Sequence, residues 1–283
     1  MNNEKSTLND AALDEVAGGF NFGQYIGRAA TSRAIAKARQ QGICVLSLCR
    51  SGHLGRMGEW AEMAVEAGLV YFSWTNTHGG GLDVAPWGGR AKYLSSNPIA
   101  AGAPVVGGIP IIMDFSTGAI AAGKIKLARA KNQPLPPGCI VNNRGELSTD
   151  AEDYYSDPPG ALMPFGGHKG FSLSVFCDIL AGAVSGAGCS NLKTDLVANA
   201  SLALFINPDF FAGREFFARA VADYVRHVKS CPTLKNVSEI LLPGEPEQLA
   251  FEKRNRDGIT IDPATWNDLL AAATRREIEA PQT

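Results

Sequence analysis

The stretch ICVLSLCRSGHLGRMGEWAEMAVEAGLVYFSW, residues 43–74, decides the fold. Residues 43–48 form a short, nearly continuous apolar run, as in a strand covered on both faces. The loop SGHLGRMG follows, then a helical pattern over 59–67, then a second apolar run over 69–74. Strand, loop, helix and strand in that order predict an α/β fold whose sheet is at least partly parallel. Upstream, residues 25–41 place Ile26, Ala29, Ala30, Ala34, Ile35 and Ala38 on one helical stripe that stops at Gly42. Downstream, 75–108 is irregular, with Gly79-Gly80-Gly81, Gly88-Gly89 and several prolines, and His78 falls in a loop. A third strand is expected at 109–115 and a helix at 117–131, broken by QPLPPG at 133–138. GGHKG at 166–170 precedes a buried helix over 171–182, and a further strand is expected at 202–206. Asn207-Pro208 reads as an N-cap with proline in the first turn, opening a helix through 228. Asp262-Pro263 repeats that signature before a last helix at 264–275.

At 283 residues with 45% apolar content, the chain is long enough to bury roughly three-quarters of its unfolded surface, which excludes disorder. Lys and Arg total 26 against 28 Asp and Glu, for a net charge of −2. That balance lacks the broad basic surface of nucleic-acid binding. The six cysteines, at 44, 49, 139, 177, 189 and 231, form no C-x-x-C pair and no cluster at zinc spacing, so no metal site is expected. Reduced thiols in a cytoplasmic protein account for them. The first residues, MNNEKSTLNDAALDEVAGG, lack the basic start and apolar run of a secretory signal. The most apolar long window, 171–188, contains Asp178 and is too short and polar to span a bilayer.

Two glycine-rich junctions stand out for chemistry. His53 and Arg56 lie in the loop between the first strand and its helix. Glycines there let a ligand approach the backbone, and a helix start offers N–H groups to an anion. An ordinary tight turn with His53 and Arg56 in solvent fits the same residues. Gly166-Gly167-His168-Lys169-Gly170 repeats the pattern, with an imidazole and an ammonium at a helix start suited to a phosphate or carboxylate. Two such junctions together suit a diphosphate cofactor. Asp114 ends the third expected strand, where it would hold a ribose hydroxyl or cap the next helix. No G-x-G-x-x-G follows a strand, and neither a Walker-type loop nor a G-x-S-x-G elbow is present.

With these residues in view, the chain resembles the malate/L-lactate dehydrogenase family of non-Rossmann oxidoreductases. The matching segments are SGHLGRMGEWAEMAVEAGLV (51–70), TNTHGGG (75–81), VAPWGGR (84–90), SSNPIAAGAP (95–104), IIMDFSTGAIAAGKI (111–125), PFGGHKGFSL (164–173), LLPGEPE (241–247) and EKRNRDGITI (252–261). The resemblance runs in order from about Gly18 to the C-terminus. It implies a mixed sheet with flanking helices in the non-Rossmann fold of that family. It also implies NAD or NADP as cofactor, a small 2-oxo or 2-hydroxy acid as substrate, and a homodimer with the site near the subunit interface. Three divisions follow: a short tail at 1–17, an NAD(P)-binding core at 18–240, and a C-terminal helical segment at 241–283 that closes over the cofactor.

The resemblance also assigns roles. His53, Leu54, Gly55, Arg56 and Met57 would lie along the cofactor, and Asp114, Phe115, Ser116, Gly123, His168 and Lys169 would contact it. Arg254, Arg256 and Gly258 would close over it, and Ser96 would approach the substrate. Lys124 stands where some imine-reducing relatives carry an aspartate, which favours a 2-hydroxy-acid dehydrogenase. Relatives carry a Ser-His pair and an Arg in a front segment, for proton transfer and carboxylate binding. The residues ahead of the match contain no His and no Arg. The expectation divides accordingly between a misplaced start or fragment, a member with another acid/base for which His53 is the candidate, and a catalytically silent dinucleotide-binding homologue. A phosphate-ligand transferase built on the two anion-binding loops is a further alternative.

Overall fold

Gly42, with φ at +85°, stops the first helix where the sequence places the stop, its N–H donating to Ala38 O at 2.9 Å. The helix, α1 (Gly23–Gln41), buries Ile26, Ala30, Ala34 and Ala38 along one stripe. The computed structural model describes residues 22–193, 197–261, 263–276 and 278, so the expected tail at 1–17 lies outside the described residues. The chain divides into two compact units at Pro243 and Gly244.

The larger unit continues with β1 (Ile43–Ser51), α2 (Gly58–Glu66), β2 (Val70–Gly79), β3 (Ile99–Ala103), β4 (Ile111–Phe115) and α3 (Ala122–Ala130). A small region follows, made of β5 (Ile140–Val141), β6 (Leu147–Ser148), α4 (Ala151–Tyr155) and β7 (Ala161–Leu162). Then come α5 (His168–Cys177), continued by a π-helical turn (Asp178–Ala183), β8 (Val197–Ile206), a 3-10 turn (Pro208–Phe210) and α6 (Arg214–Lys229). The main sheet runs β1-β8-β2-β3-β4 and the small one β6-β5-β7.

The α/β class with flanking helices stands, but every ladder is antiparallel where the strand-helix-strand order predicts a parallel part. The reason is β8. β1 and β2 do point the same way, as their connecting helix requires. A strand from far along the chain then slots between them, pairing Ile43 with Ile206 on one side and Val70 with Ile206 on the other. β1 is consequently an edge strand, not one buried on both faces. Cys44, Leu46 and Leu48 turn towards the core, while Ile43 and Val45 are exposed.

Other sequence boundaries shift for local reasons. The segment IAAGA, read as irregular, is β3, and 111–115 is therefore the fourth strand. His78 lies in β2 and is buried rather than in a loop. The helix expected at 117–131 begins only at Ala122, because the preceding residues pair with neighbouring loops instead. Asn207 does cap a turn, accepting from the Asp209 N–H at 3.1 Å, but the turn is 3-10 and α6 starts separately at Arg214.

The core of the larger unit lies on the α1 and α2 side of the main sheet. Trp60, Ala61 and Ala64 of α2 meet Tyr71, Ala100, Ala203 and Phe205 of the strands. Phe205 is fully buried and meets Tyr71 edge to face, ring centroids 5.0 Å apart. The opposite face carries α5 and its π turn, through Asn76 and Gly182. A second apolar cluster, with Val84, Ile125, Ile140, Tyr154 and Leu162, fills the region of the small sheet. The smaller unit consists of α7 (Glu245–Asp257) and α8 (Pro263–Thr274), the latter matching the expected last helix. Among the described residues no helix is long and apolar enough to cross a membrane.

Replacing Phe205 with Ala removes a ring that the cluster closes around. It is expected to destabilise the fold by about 3–5 kcal/mol, whereas Val106→Ala at an exposed loop position changes stability by less than about 0.5. Urea denaturation of both variants measures the contrast.

Candidate active site

Antiparallel pairing collects the motif loops at one end of the main sheet. β1, β2 and β4 finish there, at Ser51, Gly79 and Phe115, and β3 and β8 begin there, at Ile99 and Val197. Four segments therefore meet, 52–58, 95–97, 114–118 and 164–170, although they are far apart in the chain.

The 52–58 loop is anchored from below. Leu54 N–H donates to Asn199 Oδ1 at 3.0 Å, and Asn199 Nδ2 donates onward to Asn76 O at 3.3 Å and Thr77 Oγ1 at 3.2 Å. Leu54 and Met57 are buried, their side chains packed in the core, so neither presents a side chain at the surface of the loop. His53 is exposed, and the Gly55 N–H donates to its Nδ1 at 3.0 Å. An imidazole that accepts at Nδ1 carries its proton on Nε2, so His53 presents a donor outward.

The start of α2 is not an open anion site. Gly58 N–H donates to Asp114 Oδ2 at 2.7 Å, so a carboxylate of the chain already occupies it. Asp114 is thus a helix cap, but for α2 rather than for the helix that follows it in sequence. Arg56 pairs with Glu62, and the Glu62 carboxylate, with a smaller contribution from Asp114, holds its guanidinium further into the charged form.

The 114–118 segment ties the other loops together. Ser96 O accepts from Thr117 N at 2.8 Å and from Thr117 Oγ1 at 3.0 Å, and Phe165 N–H donates to Thr117 O at 3.0 Å. The Phe115 and Phe165 rings meet edge to face at 5.4 Å. Ser96 is half-buried, and its hydroxyl has no hydrogen-bond partner among the described residues.

At the start of α5, Gly166 and Gly167 both take positive φ, +57° and +65°. A Cβ at Gly167 would sit 2.9 Å from the Trp87 ring, so glycine lets the indole lie against this loop. Lys169, Gly170 and Phe171 give their N–H groups to carbonyls of the same loop, at 3.4, 3.0 and 3.2 Å. The exposed His168 and Lys169 side chains therefore carry the attraction for an anion here more than free amides do. Beside them opens a cleft of about 530 Å³, lined by Trp87, Cys139, Met163, Phe165, Gly167 and His168 among others. Gly123, in the first turn of α3, has open space where a Cβ would be, and Ser116 is half-buried beside Phe115.

Sequence reasoning passed over the layer behind this surface. Asn97 and Asp178 are buried and hydrogen-bonded to each other at 3.0 Å, and the polar Asp178 inside an otherwise small and apolar helix was the available signal. Burial, and after it the charge of Asp178, pushes the Cys177 thiol up to about 12, so it stays protonated. Burial, followed by the charge of Arg50, lowers His78 and favours its neutral form. Among the described residues no group of three or more His, Cys, Asp or Glu converges on a metal site.

In the smaller unit, Gly258 ends α7 with its N–H donating to Arg254 O at 2.8 Å. Arg256 Nε pairs with Asp257 at 2.9 Å and Lys253 Nζ with the same carboxylate at 2.6 Å.

Comparison with known proteins identifies the family and the fold. The sequence profile described as malate/L-lactate dehydrogenase matches residues 4–270. An L-lactate dehydrogenase of Cupriavidus necator is 36% identical over 281 residues, which cover 98% of this chain and 80% of that protein. Hydroxycarboxylate dehydrogenase B of Escherichia coli K12 is 34% identical across 100% of this chain and 78% of its own length. The sulfolactate dehydrogenase structure from Methanocaldococcus jannaschii superposes with a TM-score of 0.79 at 31% identity, over 92% of this chain and 73% of that one. With the motifs in order and the fold shared, the chain belongs to the malate/L-lactate dehydrogenase family.

Proposed function

We propose that the chain is an NAD(P)-dependent oxidoreductase that transfers a hydride between nicotinamide and C2 of a small 2-hydroxy or 2-oxo acid. The observation that carries this reading is the meeting of the 52–58, 95–97, 114–118 and 164–170 loops at one sheet end, beside a cleft of about 530 Å³. A cleft of that size, with one aromatic wall and few placed polar groups, suits a small organic ligand. Names carried by relatives in the family, lactate, malate and sulfolactate dehydrogenase among them, point to the same substrate class.

The donor set fits a dinucleotide. His53 Nε2–H and the Lys169 ammonium are exposed donors for phosphate or amide oxygens, and the flat Trp87 beside Gly167 offers a surface for a ring. Asp114 is exposed at the end of β4, a carboxylate suited to ribose hydroxyls as well as to α2. Bound nicotinamide supplies the hydride chemistry, and the protein supplies orientation. Ser96, its hydroxyl uncommitted, hydrogen-bonds an oxygen of the acid. His53 serves as a cofactor contact in preference to a general base, since its outward nitrogen carries the proton. Arg254, Arg256 and Gly258, at the end of α7 in the smaller unit, are further proposed cofactor contacts.

The assembly we propose is a homodimer. Leu173, Phe176, Ile179 and Val184 form an exposed apolar stripe along α5 and its π turn, and Ile43 and Val45 expose another on β1. Apolar area of this kind is more typical of an interface than of free surface.

Three outcomes test the reading. NADH or NADPH at a hundred times its Kd raises stability by about 2.7 kcal/mol, seen as a higher Tm; neither cofactor shifting Tm contradicts it. Lys169→Ala weakens the cofactor Kd roughly tenfold or more by removing a charged hydrogen bond, while Ser96→Ala lowers kcat/KM for the acid roughly tenfold with cofactor Kd unchanged. Sedimentation gives twice the 29.9 kDa chain mass, and Phe176→Asp with Val45→Asp gives the single mass; a monomeric parent chain refutes the dimer.

A further inference from the structure

We propose that Asp178 is a positioning residue that, through Asn97, locks the Ser96 loop to the same helix whose first turn carries His168 and Lys169. One rigid element then sets the spacing between substrate and cofactor. The inference rests on reading Ser96 as a substrate contact.

Asp178 opens the π turn and is 5% exposed, yet its hydrogen-bond donors among the described residues are all uncharged. Oδ1 accepts from Asn76 Nδ2 at 2.9 Å and Ser190 N at 2.9 Å, and Oδ2 accepts from Asn97 Nδ2 at 3.0 Å. The Ser190 hydroxyl bridges both oxygens at 3.1 and 3.0 Å. A carboxylate sunk among neutral donors is an expensive way to fill a core position, because a buried charge loses its hydration and a neutral residue of like shape would avoid that. What the charge provides is grip. Charge-assisted bonds are shorter and stronger than neutral ones, and here they converge on two asparagines from different parts of the chain.

Asn97 receives that grip at a conformationally special point. It is fully buried, takes φ at +38°, and precedes Pro98. Its Nδ2 also donates to Ser174 O and Ser174 Oγ, both at 3.0 Å, one helical turn before Asp178. Asparagine tolerates this left-handed backbone better than other side chains, and the amide fixes it in place. Ser96, its immediate neighbour, has no comparable side-chain anchor, so its position follows from Asn97 on one side and Thr117 on the other. Ser95 Oγ and Asn97 Oδ1 are buried with no partner among the described residues, marking the loop as polar beyond what the fold uses.

The π turn completes the device. A single π-helical turn within an α-helix is frequent at functional sites, because it redirects side chains without ending the helix. Here it follows α5 directly, so the helix that starts at His168 delivers Ser174 and Asp178 under the Ser96 loop. A shift of the loop relative to α5 is a shift of substrate relative to cofactor, and misplacement by about 1 Å can cost on the order of a hundredfold in rate.

Asp178→Asn keeps the shape and turns one acceptor into a donor facing donors. Asn97→Gly keeps the left-handed backbone and deletes the amide, which gives a second route if the first variant folds poorly. Both are expected to lower kcat/KM for the 2-hydroxy acid by about fiftyfold or more, with cofactor Kd within about threefold of the parent. Hydrogen exchange of the 94–98 backbone rises at least about tenfold in both, while the sheet peptides keep their protection. A loss of Tm with loop exchange and kcat/KM within about threefold of the parent overturns the proposal and leaves Asp178 a purely structural group. If the parent chain turns over no 2-hydroxy acid, the dehydrogenase reading fails, yet loop exchange in the two variants still decides whether Asp178 holds the loop.

Discussion

β8 lies between β1 and β2, and the site depends on that one long-range ladder. Register through it places Ser51, Asn199 and Thr77 side by side, so that Asn199 holds the 54 amide, the 76 carbonyl and the 77 hydroxyl at once. A slip of one residue would turn Asn199 to the other face and bring Phe205 out of the core, since strand side chains alternate with period two. The alternation that buries Phe205 and Ala203 is therefore the same constraint that seats the 52–58 loop. Packing and site geometry are one specification here.

Electrostatics in the site are arranged by short polar side chains more than by bare helix ends. The positive end of α2 is met by Asp114 from β4, and three of the first amides of α5 are used by their own loop. Lys169 and the His168 imidazole remain exposed there, and the net charge of −2 leaves no broad basic field around them. Such a surface suits the proposed small anionic ligand, held by placed contacts. Behind it, Asp178 and its neutral donors give the loops a fixed relation to one another without adding charge to the ligand's side.

Much of this was legible in the residues. The α1 stripe and its Gly42 stop, the two glycine-rich junctions and the alternation of strands with helices follow from period and punctuation, which are local properties. The direction of the sheet was not legible, because β8 pairs with strands more than a hundred residues away and nothing in ICVLSL says which partner will arrive. The same ignorance made β1 look buried on both faces. Asp114 stood open between a ribose ligand and a cap for the helix that follows it; its carboxylate meets the start of α2, and capping across a sheet has no sequence spacing. IAAGA escaped as a strand because alanine and glycine carry little β preference; its small residues suit close packing, a Cβ at Gly102 reaching within 2.8 Å of Val65. Asn97 and Asp178 were missed for a different reason: Asp178 signals only a polar position in a small, apolar helix, Asn97 reads as ordinary, and only the fold brings them within 3.0 Å.

The central claim is hydride transfer between nicotinamide C4 and the acid's C2. NADH or NADPH deuterated at both C4 positions, incubated with the chain and a 2-oxo acid such as pyruvate or oxaloacetate, tests it most directly. The expected product is a 2-hydroxy acid carrying one deuterium at C2, read by mass spectrometry and proton NMR. Product with hydrogen at C2 throughout, or cofactor that binds and is never oxidised with any 2-oxo acid, contradicts it.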